Sequence, residues 1–560
     1  MVLWLTVIWA GFHEWFNRGP SALSNPYAFG DNMDGALCST ANFDLAAAWI
    51  NNCNEKHQCL HPQSTLFSPT RLLSVGAAGD SIIKLVTRIS SSSQPYATLS
   101  YCWGLALPVR LLSHLVGDFE RGIPIASLPR TLKEAIEVTR ELGLKYIWID
   151  SLCIIQNSTE DWNCEATQMA DIYNNSYCNL AATSAVYCDG GLIRDRDPNV
   201  LRTTLVNTNW EGSENKLFGV IDKYIFKRDV VEAPLNGRGW VVQERHLSPR
   251  TLHFGKHQLF WECYATNACE AYPYNVMPGC ELILSKRNLK SPKVSTSDFY
   301  RYWHHLVRSY TISRLTKEQD KLPAISGLAR RLAPVLSDEY VAGLWKSRLS
   351  VELTWTPYGS RVRPKAYRGP SWSWISIDGE VLTGTSYPML NPVTLINVVD
   401  CEAGLLTGDK FGQVRSAVLR LSGRLYPAVL SSLDENSDGD VDSQEANSDG
   451  EMVLTLHDDD LNAAAAGLYF IGTLDAVSET AQGLVYCLPV LADTGRESEG
   501  EECELKGLVL GTTGHARGEY RRIGTFFTQT DELVSIMGGY TKPYVLDAGL
   551  YDEQGNFIIV

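Results

Sequence analysis

Residues 96–104 read YATLSYCWG, residues 145–155 read KYIWIDSLCII, and residues 177–185 read YCNLAATSA. Each run is short, apolar and rich in aromatic or β-branched residues, as buried strands are. Two segments between them, 128–143 and 161–175, carry apolar residues at helical spacing. Strand and helix patterns that alternate at these lengths predict βαβ units, and therefore a doubly wound α/β domain with a parallel sheet.

Beyond this region the chain changes character twice. Apolar residues return to helical spacing from about residue 300 to 345, and beyond residue 370 short apolar runs alternate with glycine and polar turns, which is typical of strands. We therefore predict four parts. They are an N-terminal helical segment (1–70), the α/β domain (71–265), a mainly helical connector (266–369) and a β-rich C-terminal domain (370–560) that contains an acidic loop (434–451).

The composition narrows the function classes. With 44% apolar and 20% charged residues among 560, the chain has the composition of a globular protein, and its net charge of −15 opposes binding to a phosphate backbone. The N-terminal run MVLWLTVIWAGFHEWF lacks a basic start and is too short for a membrane span. We expect a cytoplasmic protein with no nucleic-acid partner and no membrane span.

The ends of the predicted strands are the first candidates for a site, because open α/β sheets bind ligands beyond the carboxyl ends of their strands. These ends are Ser100 to Gly104 after the first strand and Asp150 to Cys153 after the second. Asp150 suits ligand binding and helix capping equally. Cys153 could serve as a nucleophile, but the apolar context LCII favours a packed, inert thiol.

Two segments offer metal-binding side chains. Cys53, His57, Cys59 and His61 fall within nine residues, whereas familiar zinc fingers separate their ligand pairs by about a dozen residues. Buried thiols are therefore the favoured interpretation there. The segment 434–445 matches the calcium-loop template position for position, yet no helical pattern follows it. We predict no bound metal and no cofactor, and a solvated loop at the acidic segment.

Five segments, in this order, carry a family resemblance. They are YATLSYCWG, the helix LPRTLKEAI, YIWIDSLCIIQ followed by DW, the helix MADIY, and RGWVVQERHLSPR (238–250). Together they resemble the HET domain of fungal heterokaryon-incompatibility proteins. The flanks, CNEKHQC upstream and YRGPSWSWISIDG (367–379) downstream, are similar to those of long family members, although Trp372 and Trp374 by themselves are typical of core anchors. The resemblance implies a part in fungal self/non-self recognition and programmed cell death, together with an incompatibility partner protein.

HET domains are regarded as distant relatives of TIR domains, and three local features fit that relation. Leu99-Ser100-Tyr101 resembles the end of the first TIR strand, and Ile149-Asp150 resembles the acidic end of the second. Glu244 follows Trp240 by four residues, as in NAD-cleaving members. The resemblance therefore implies a TIR-like domain with NAD as its substrate, and the candidate reaction is that of an NAD+ nucleosidase.

Carried onto this sequence, the resemblance implies catalytic roles for Glu244 and Asp150. The implied substrate-binding residues are Ser100, Tyr101, Trp103, Gly104, Cys153, Arg238, Trp240 and Gln243. A carboxylate such as Glu244 can stabilise the oxocarbenium-like state of glycosidic cleavage, and the alternative is a structural network with Arg238, Arg245 or Arg250. Two other functions stay open: a non-enzymatic signalling scaffold that forms a homo-oligomer through homotypic contacts, and a biosynthetic gene-cluster enzyme on the same scaffold.

Overall fold

The computed structural model divides the chain into two compact units, Met1–Val294 and Ser295–Val560. The described residues are 40–60, 67–87, 94–104, 109–197, 204–208, 216–220, 222, 224–273, 295–384, 392–432, 451–456, 469–476, 483–493, 503–538, 550–552 and 554–560. The N-terminal apolar run, His61 and the calcium-template segment 434–445 lie outside them. Every helix among the described residues is too short or too polar to cross a membrane.

A nine-stranded sheet forms the centre of the first unit, with the order β11-β10-β9-β6-β3-β5-β1-β2-β4. The strands of the unit are β1 (Arg71–Ser74), β2 (Ile82–Thr87), β3 (Tyr96–Ser100), β4 (Ile123–Pro124), β5 (Tyr146–Trp148), β6 (Cys178–Ala181), β7 (Thr204–Thr208), β8 (Lys216–Val220), β9 (Arg250–Phe254), β10 (Leu259–Cys263) and β11 (Asn267–Cys269). Strands β7 and β8 form a separate antiparallel pair.

Four adjacent strands of the large sheet are parallel, in the order β5-β3-β6-β9. In chain order that is second, first, third, fourth, which is the order of flavodoxin-like sheets. The predicted parallel arrangement of residues 96–185 is therefore confirmed. The prediction of a wholly parallel sheet is wrong at the edges, where the remaining strands pair antiparallel. Short links such as residues 255–258 between β9 and β10 permit only antiparallel pairing, because a parallel crossover needs about a dozen residues.

The first unit contains both of the helices that the sequence predicts between the parallel strands. They are α1 (Thr40–Asn52), α2 (Val116–Arg121), α3 (Arg130–Glu141), α4 (Asp150–Cys153), α5 (Thr159–Asn174) and α6 (Gly239–Leu247). The predicted helices are confirmed as α3 and α5. Ser158 caps α5, since its side chain accepts a hydrogen bond from the Asp161 N–H. The second predicted strand is shorter than expected, because Asp150 begins α4 directly after β5.

The second unit begins with helices and contains a β-barrel. Its helices are α7 (Thr296–Ile312), α8 (Pro323–Leu336), α9 (Leu349–Glu352) and α10 (Asp531–Gly538), and its strands are β12 (Tyr340–Val341), β13 (Leu344–Trp345), β14 (Thr356–Val362), β15 (Asp378–Leu382), β16 (Val393–Thr394), β17 (Asn397–Leu405), β18 (Val414–Ser422), β19 (Tyr426–Ser432), β20 (Glu451–Leu456), β21 (Tyr469–Leu474), β22 (Gly483–Asp493), β23 (Glu504–Thr512), β24 (Glu519–Thr528) and β25 (Phe557–Ile559).

Six strands of this unit close a ring in the order β19-β20-β21-β24-β23-β22, with every neighbouring pair antiparallel. Closure leaves these strands no exposed edge, and Leu454, Phe470 and Phe526 belong to the apolar core of this domain. The prediction of a β-rich C-terminal domain is confirmed in this form. Trp372 and Trp374 are fully buried, which confirms that they are core anchors.

Candidate active site

The candidate site lies at the carboxyl ends of the first two parallel strands. Ser100 is the last residue of β3, and Asp150 stands two residues after β5, at the start of α4. The strand order reverses between the neighbouring strands β3 and β6, and such a reversal is where open α/β sheets bind ligands. Helix α6, which lies between β6 and β9 in the chain, brings Glu244 to the same place.

A short hydrogen bond joins Ser100 to Glu244. The Ser100 hydroxyl donates to Glu244 Oε2 at 2.5 Å and accepts from Asn179 Nδ2 at 3.1 Å. Asn179 Oδ1 in turn accepts from the Thr98 hydroxyl at 3.0 Å. All four residues are buried, and Glu244 has only 4% of its surface exposed. The network therefore holds the Glu244 carboxyl in one orientation at the end of β3.

Burial changes the ionisation of Glu244. Loss of solvent raises its pKa from 4.5 to about 7, against the Arg238 charge and the Ser100 hydrogen bond, which lower it. The charge of Asp150 raises this pKa further, and a hydrogen bond with Tyr173 lowers it. The carboxyl therefore exchanges its proton near neutral pH, as catalytic carboxyls are commonly tuned to do.

Asp150 holds Trp103 and its own helix at the same time. Trp103 Nε1 donates to the two Asp150 carboxylate oxygens at 3.0 and 3.3 Å, and the Ser151 N–H donates to Asp150 Oδ1 at 2.7 Å. Burial raises the pKa of Asp150, and the Arg238 charge opposes that rise. The contact with Ser151 fits the interpretation of Asp150 as a turn residue, and ligand binding by Asp150 stays a prediction.

The positive charge of Arg238 acts on both carboxyls. Its guanidinium donates to the Tyr101 carbonyl oxygen. Burial lowers the pKa of Arg238, but the charges of Glu244 and Asp150 outweigh that effect and raise it overall. The charge of Arg238 lowers the pKa of both acids, but burial raises each of them more.

Arg245 and Arg250, the other two arginines considered as partners of Glu244, form hydrogen bonds with other side chains. Arg245 Nε donates to Glu262 Oε2 at 2.8 Å, and Arg250 Nε donates to Cys53 Sγ at 3.2 Å. The charge of Arg238 is the one that acts on the Glu244 carboxyl. The structural-network alternative is thereby reduced to a single arginine, whose charge also acts on Asp150.

Two of the predicted substrate-binding residues are partly exposed tryptophans. Trp103 and Trp240 are half-buried, and Trp240 packs edge-to-face on Trp162 with ring centroids 6.2 Å apart. Gly104, beside Trp103, has a φ of 75°, and a Cβ there would lie 2.6 Å from Tyr187 Cβ. Glycine is therefore required at this turn both for its conformation and for the close approach.

Cys153 and Gln243 lie in the protein interior. Cys153 is fully buried, and burial raises its thiol pKa to about 12, so thiolate is scarce at neutral pH. Its carbonyl oxygen accepts a hydrogen bond from Arg71 Nε. These features favour the packed-thiol interpretation. Gln243 is 1% exposed, although it precedes Glu244 on α6.

Three residues of the site were not singled out from the sequence. They are Asn179, which contacts Ser100; Tyr173, whose hydroxyl interacts with Glu244; and Trp162, which packs on Trp240. Asn179 could have been noticed as a polar residue inside a strand that is otherwise apolar. The hydroxyl of Tyr173 gave no such signal, because its helix reads as an ordinary amphipathic one.

Residues 96–244 match the family model of the heterokaryon incompatibility protein (HET). This HET segment begins at the first residue of β3 and ends at Glu244, so it contains Ser100, Asp150 and Arg238 as well. The resemblance to HET proteins is thereby confirmed over these residues, and with it the association of this segment with heterokaryon incompatibility. No curated protein and no solved structure matches the chain.

Proposed function

We propose that the chain is an effector of heterokaryon incompatibility whose HET segment cleaves NAD. The observation that carries this proposal is the Glu244 carboxyl: it is held by Ser100 at the end of a parallel strand, shares Arg238 with Asp150, and has a pKa near 7. The flavodoxin-like order of the four parallel strands supports the TIR-like relation that suggested this chemistry. We further propose a cytoplasmic protein that acts with an incompatibility partner.

The reaction requires an ionised carboxylate. The bond between ribose C1′ and the nicotinamide nitrogen breaks, and its electron pair leaves with neutral nicotinamide. Ionised Glu244 stabilises or traps the oxocarbenium-like ribosyl group. Water then adds to C1′ and releases one proton, so the products are nicotinamide, ADP-ribose and H⁺. Because the leaving group departs neutral, no general acid is needed, and one carboxylate suffices.

The remaining residues act on binding and position. Trp103 and Trp240 offer half-buried faces on which a cationic nicotinamide ring can stack. Asp150 orients Trp103 through the indole hydrogen bonds. Arg238 limits how far the pKa of Glu244 can rise, which keeps part of the carboxyl ionised at neutral pH.

The burial of Glu244 favours a second function, that of a signalling scaffold. A carboxyl with 4% exposure, hydrogen-bonded to Ser100, needs movement of the side chains that cover it before a ribosyl group can reach it. In a scaffold the same cluster would only fix α6 against the sheet, and cell death would follow from assembly of partners and homotypic contacts.

Nicotinamide release separates the two functions. Purified full-length protein is incubated with NAD, and nicotinamide and ADP-ribose are quantified by chromatography. Glu244→Gln should abolish release, whereas Glu165→Gln should not. Glu165 is a matched control because it too is buried with a raised pKa, but it pairs with Arg71. If Glu244→Gln still causes cell death in a fungal host and no nicotinamide is released by the wild type, the scaffold is correct.

A further inference from the structure

Three cysteines that lie outside the HET segment in sequence come together, and a histidine lies beside one of them. The thiols of Cys53, Cys59 and Cys263 are buried, and their Sγ atoms lie within 4.8 Å of one another. His57 Nδ1 lies 3.6 Å from Cys263 Sγ. We refer to these four residues as the Cys₃His cluster.

Local backbone geometry brings three of the four together. Cys53 to His57 form a single π-helical turn after α1. Gln58 then adopts a left-handed conformation with φ of 48°, and its N–H bonds to the Cys53 carbonyl oxygen, so the chain folds back and places Cys59 beside Cys53. Cys263 comes from a distant part of the sequence, as the last residue of β10.

The cluster differs from the set that the sequence offered. The crowding of Cys53, His57, Cys59 and His61 argued against a metal, because four ligands within nine residues cannot easily surround an ion. The structure supplies Cys263 from a distant strand. The chain can therefore approach an ion from two sides, as structural zinc sites require.

The three thiols, and the position of His57 beside one of them, suit tetrahedral zinc. With Zn–S bonds of about 2.3 Å and a Zn–N bond of about 2.1 Å, tetrahedral geometry places sulfur atoms about 3.8 Å apart and sulfur and nitrogen about 3.6 Å apart. The distance from His57 Nδ1 to Cys263 Sγ is 3.6 Å, and the three sulfur atoms lie within 4.8 Å of one another. His57 is not part of that close group, so its ring would move towards Cys53 and Cys59 when zinc binds. Three cysteines and one histidine are also one of the common structural zinc ligand sets.

The surroundings of the cluster suit thiolates rather than thiols. Arg250 is fully buried, and its Nε donates to Cys53 Sγ at 3.2 Å. Its Nη1 has no hydrogen-bond partner among the described residues. The Ala265 N–H points to Cys263 Sγ at 3.5 Å. Zinc with three thiolates carries one net negative charge, and the buried guanidinium would balance it.

We propose that Cys53, His57, Cys59 and Cys263 bind one structural zinc ion that fastens helix α1 and its π-turn to strand β10 of the sheet. All four ligands come from the protein, so the site has no open position for a substrate and is structural rather than catalytic. Neighbouring contacts join the same elements: Trp49 of α1 stacks on Trp261 of β10 with centroids 6.2 Å apart. The proposal does not depend on NAD cleavage.

Metal analysis of the full-length protein tests the proposal. Protein purified without added metal or chelator should contain about one zinc per chain. After exchange with cobalt, its absorption spectrum should show thiolate-to-cobalt charge transfer and the bands of tetrahedral cobalt. A wild-type protein without zinc that also fails to bind cobalt tetrahedrally would overturn the proposal. So would an intact mass that shows a disulfide among the three cysteines, or iron in place of zinc.

Single substitutions identify the ligands. Cys263→Ser and His57→Ala should each lower the zinc content to less than about a tenth of the wild-type content or remove the tetrahedral cobalt spectrum. His61→Ala should retain both, which separates the structural set from the sequence-based one. Cys178→Ser is the control for loss of a buried thiol elsewhere in the unit and should retain zinc. Full zinc binding by Cys263→Ser would overturn the assignment, and if that variant does not fold, the wild-type cobalt spectrum still decides.

Discussion

Replacing Glu244 with glutamine should stabilise the protein above neutral pH while it removes the proposed activity. The native state holds a proton on Glu244 that the unfolded chain releases, because the pKa is about 7 in the fold and 4.5 outside it. Rising pH therefore destabilises the fold between these two values, and the loss is complete above the folded-state pKa. Relative to low pH, the unfolding free energy falls by about 3 kcal/mol at pH 8 and by about 1 kcal/mol at pH 5.

Glutamine resembles the protonated carboxyl in shape and charge. The Ser100 hydroxyl can accept from the new amide and donate to Asn179 Oδ1, which lies 3.2 Å away. The quantity to compare is the unfolding free energy of Glu244→Gln minus that of the wild type. We therefore expect this difference to be about 2 kcal/mol greater at pH 8 than at pH 5. The difference between the two proteins isolates Glu244 from other titrating groups, such as Asp150.

Urea unfolding at the two pH values, followed by tryptophan fluorescence, measures this difference. Linear extrapolation gives the free energy of unfolding for each protein. An equal difference in unfolding free energy between the variant and the wild type at both pH values would refute the reasoning, since it would mean that Glu244 stays ionised in the fold across this range. A destabilised variant at pH 8 would show that the attraction of Arg238 exceeds the cost of burial.

Three further predictions concern other parts of the molecule. Gly104→Ala should lower the unfolding free energy by about 1 kcal/mol or more in denaturant titration, because φ is 75° and the new Cβ meets Tyr187; an unchanged midpoint would contradict this. Cys153 should resist iodoacetamide in the native protein at pH 7.5 and react only after unfolding, since it is buried with a pKa of about 12; mass spectrometry of the labelled peptide checks it. Arg522→Met should cost about 3–5 kcal/mol in the second unit, because it leaves Asp475 buried without the guanidinium that binds it through two hydrogen bonds of 3.0 Å; calorimetry that shows no loss would refute it.

The elements of the fold were predictable where local pattern determines them. Strands β3 and β6 form within residues 96–104 and 177–185, and every residue of both strands is buried in the parallel sheet. The helix within residues 128–143 has a clear periodicity. The antiparallel edges were not predictable, because short hairpin strands carry a weak pattern and their pairing depends on neighbours distant in sequence. Asp150 was expected at a strand end, yet it opens a helix, since one turn of helix has too few residues to show a period.

The candidate site was predictable only in part. Ser100 and Asp150 follow from the position of strand ends, whereas Glu244 was suggested by family resemblance alone. The contact between Ser100 and Glu244 joins residues 144 positions apart and was not predicted. The Cys₃His cluster shows the same limit more strongly. The spacing of Cys53 and Cys59 suggests metal ligands, whereas nothing in the sequence around Cys263 does. Only the fold brings Cys263, at the end of β10, to the turn.

The pH dependence of nicotinamide release tests the central claim most directly, because it links the buried carboxyl to the chemistry. With NAD in excess, the wild-type rate should rise with pH and level off, with an apparent pKa near 7, as Glu244 loses its proton. Glu244→Gln should fall by roughly a hundredfold or more at every pH. A wild-type rate that is flat from pH 5 to pH 9, or a Glu244→Gln variant that turns over at the wild-type rate, would contradict the assignment of Glu244 as the catalytic carboxylate.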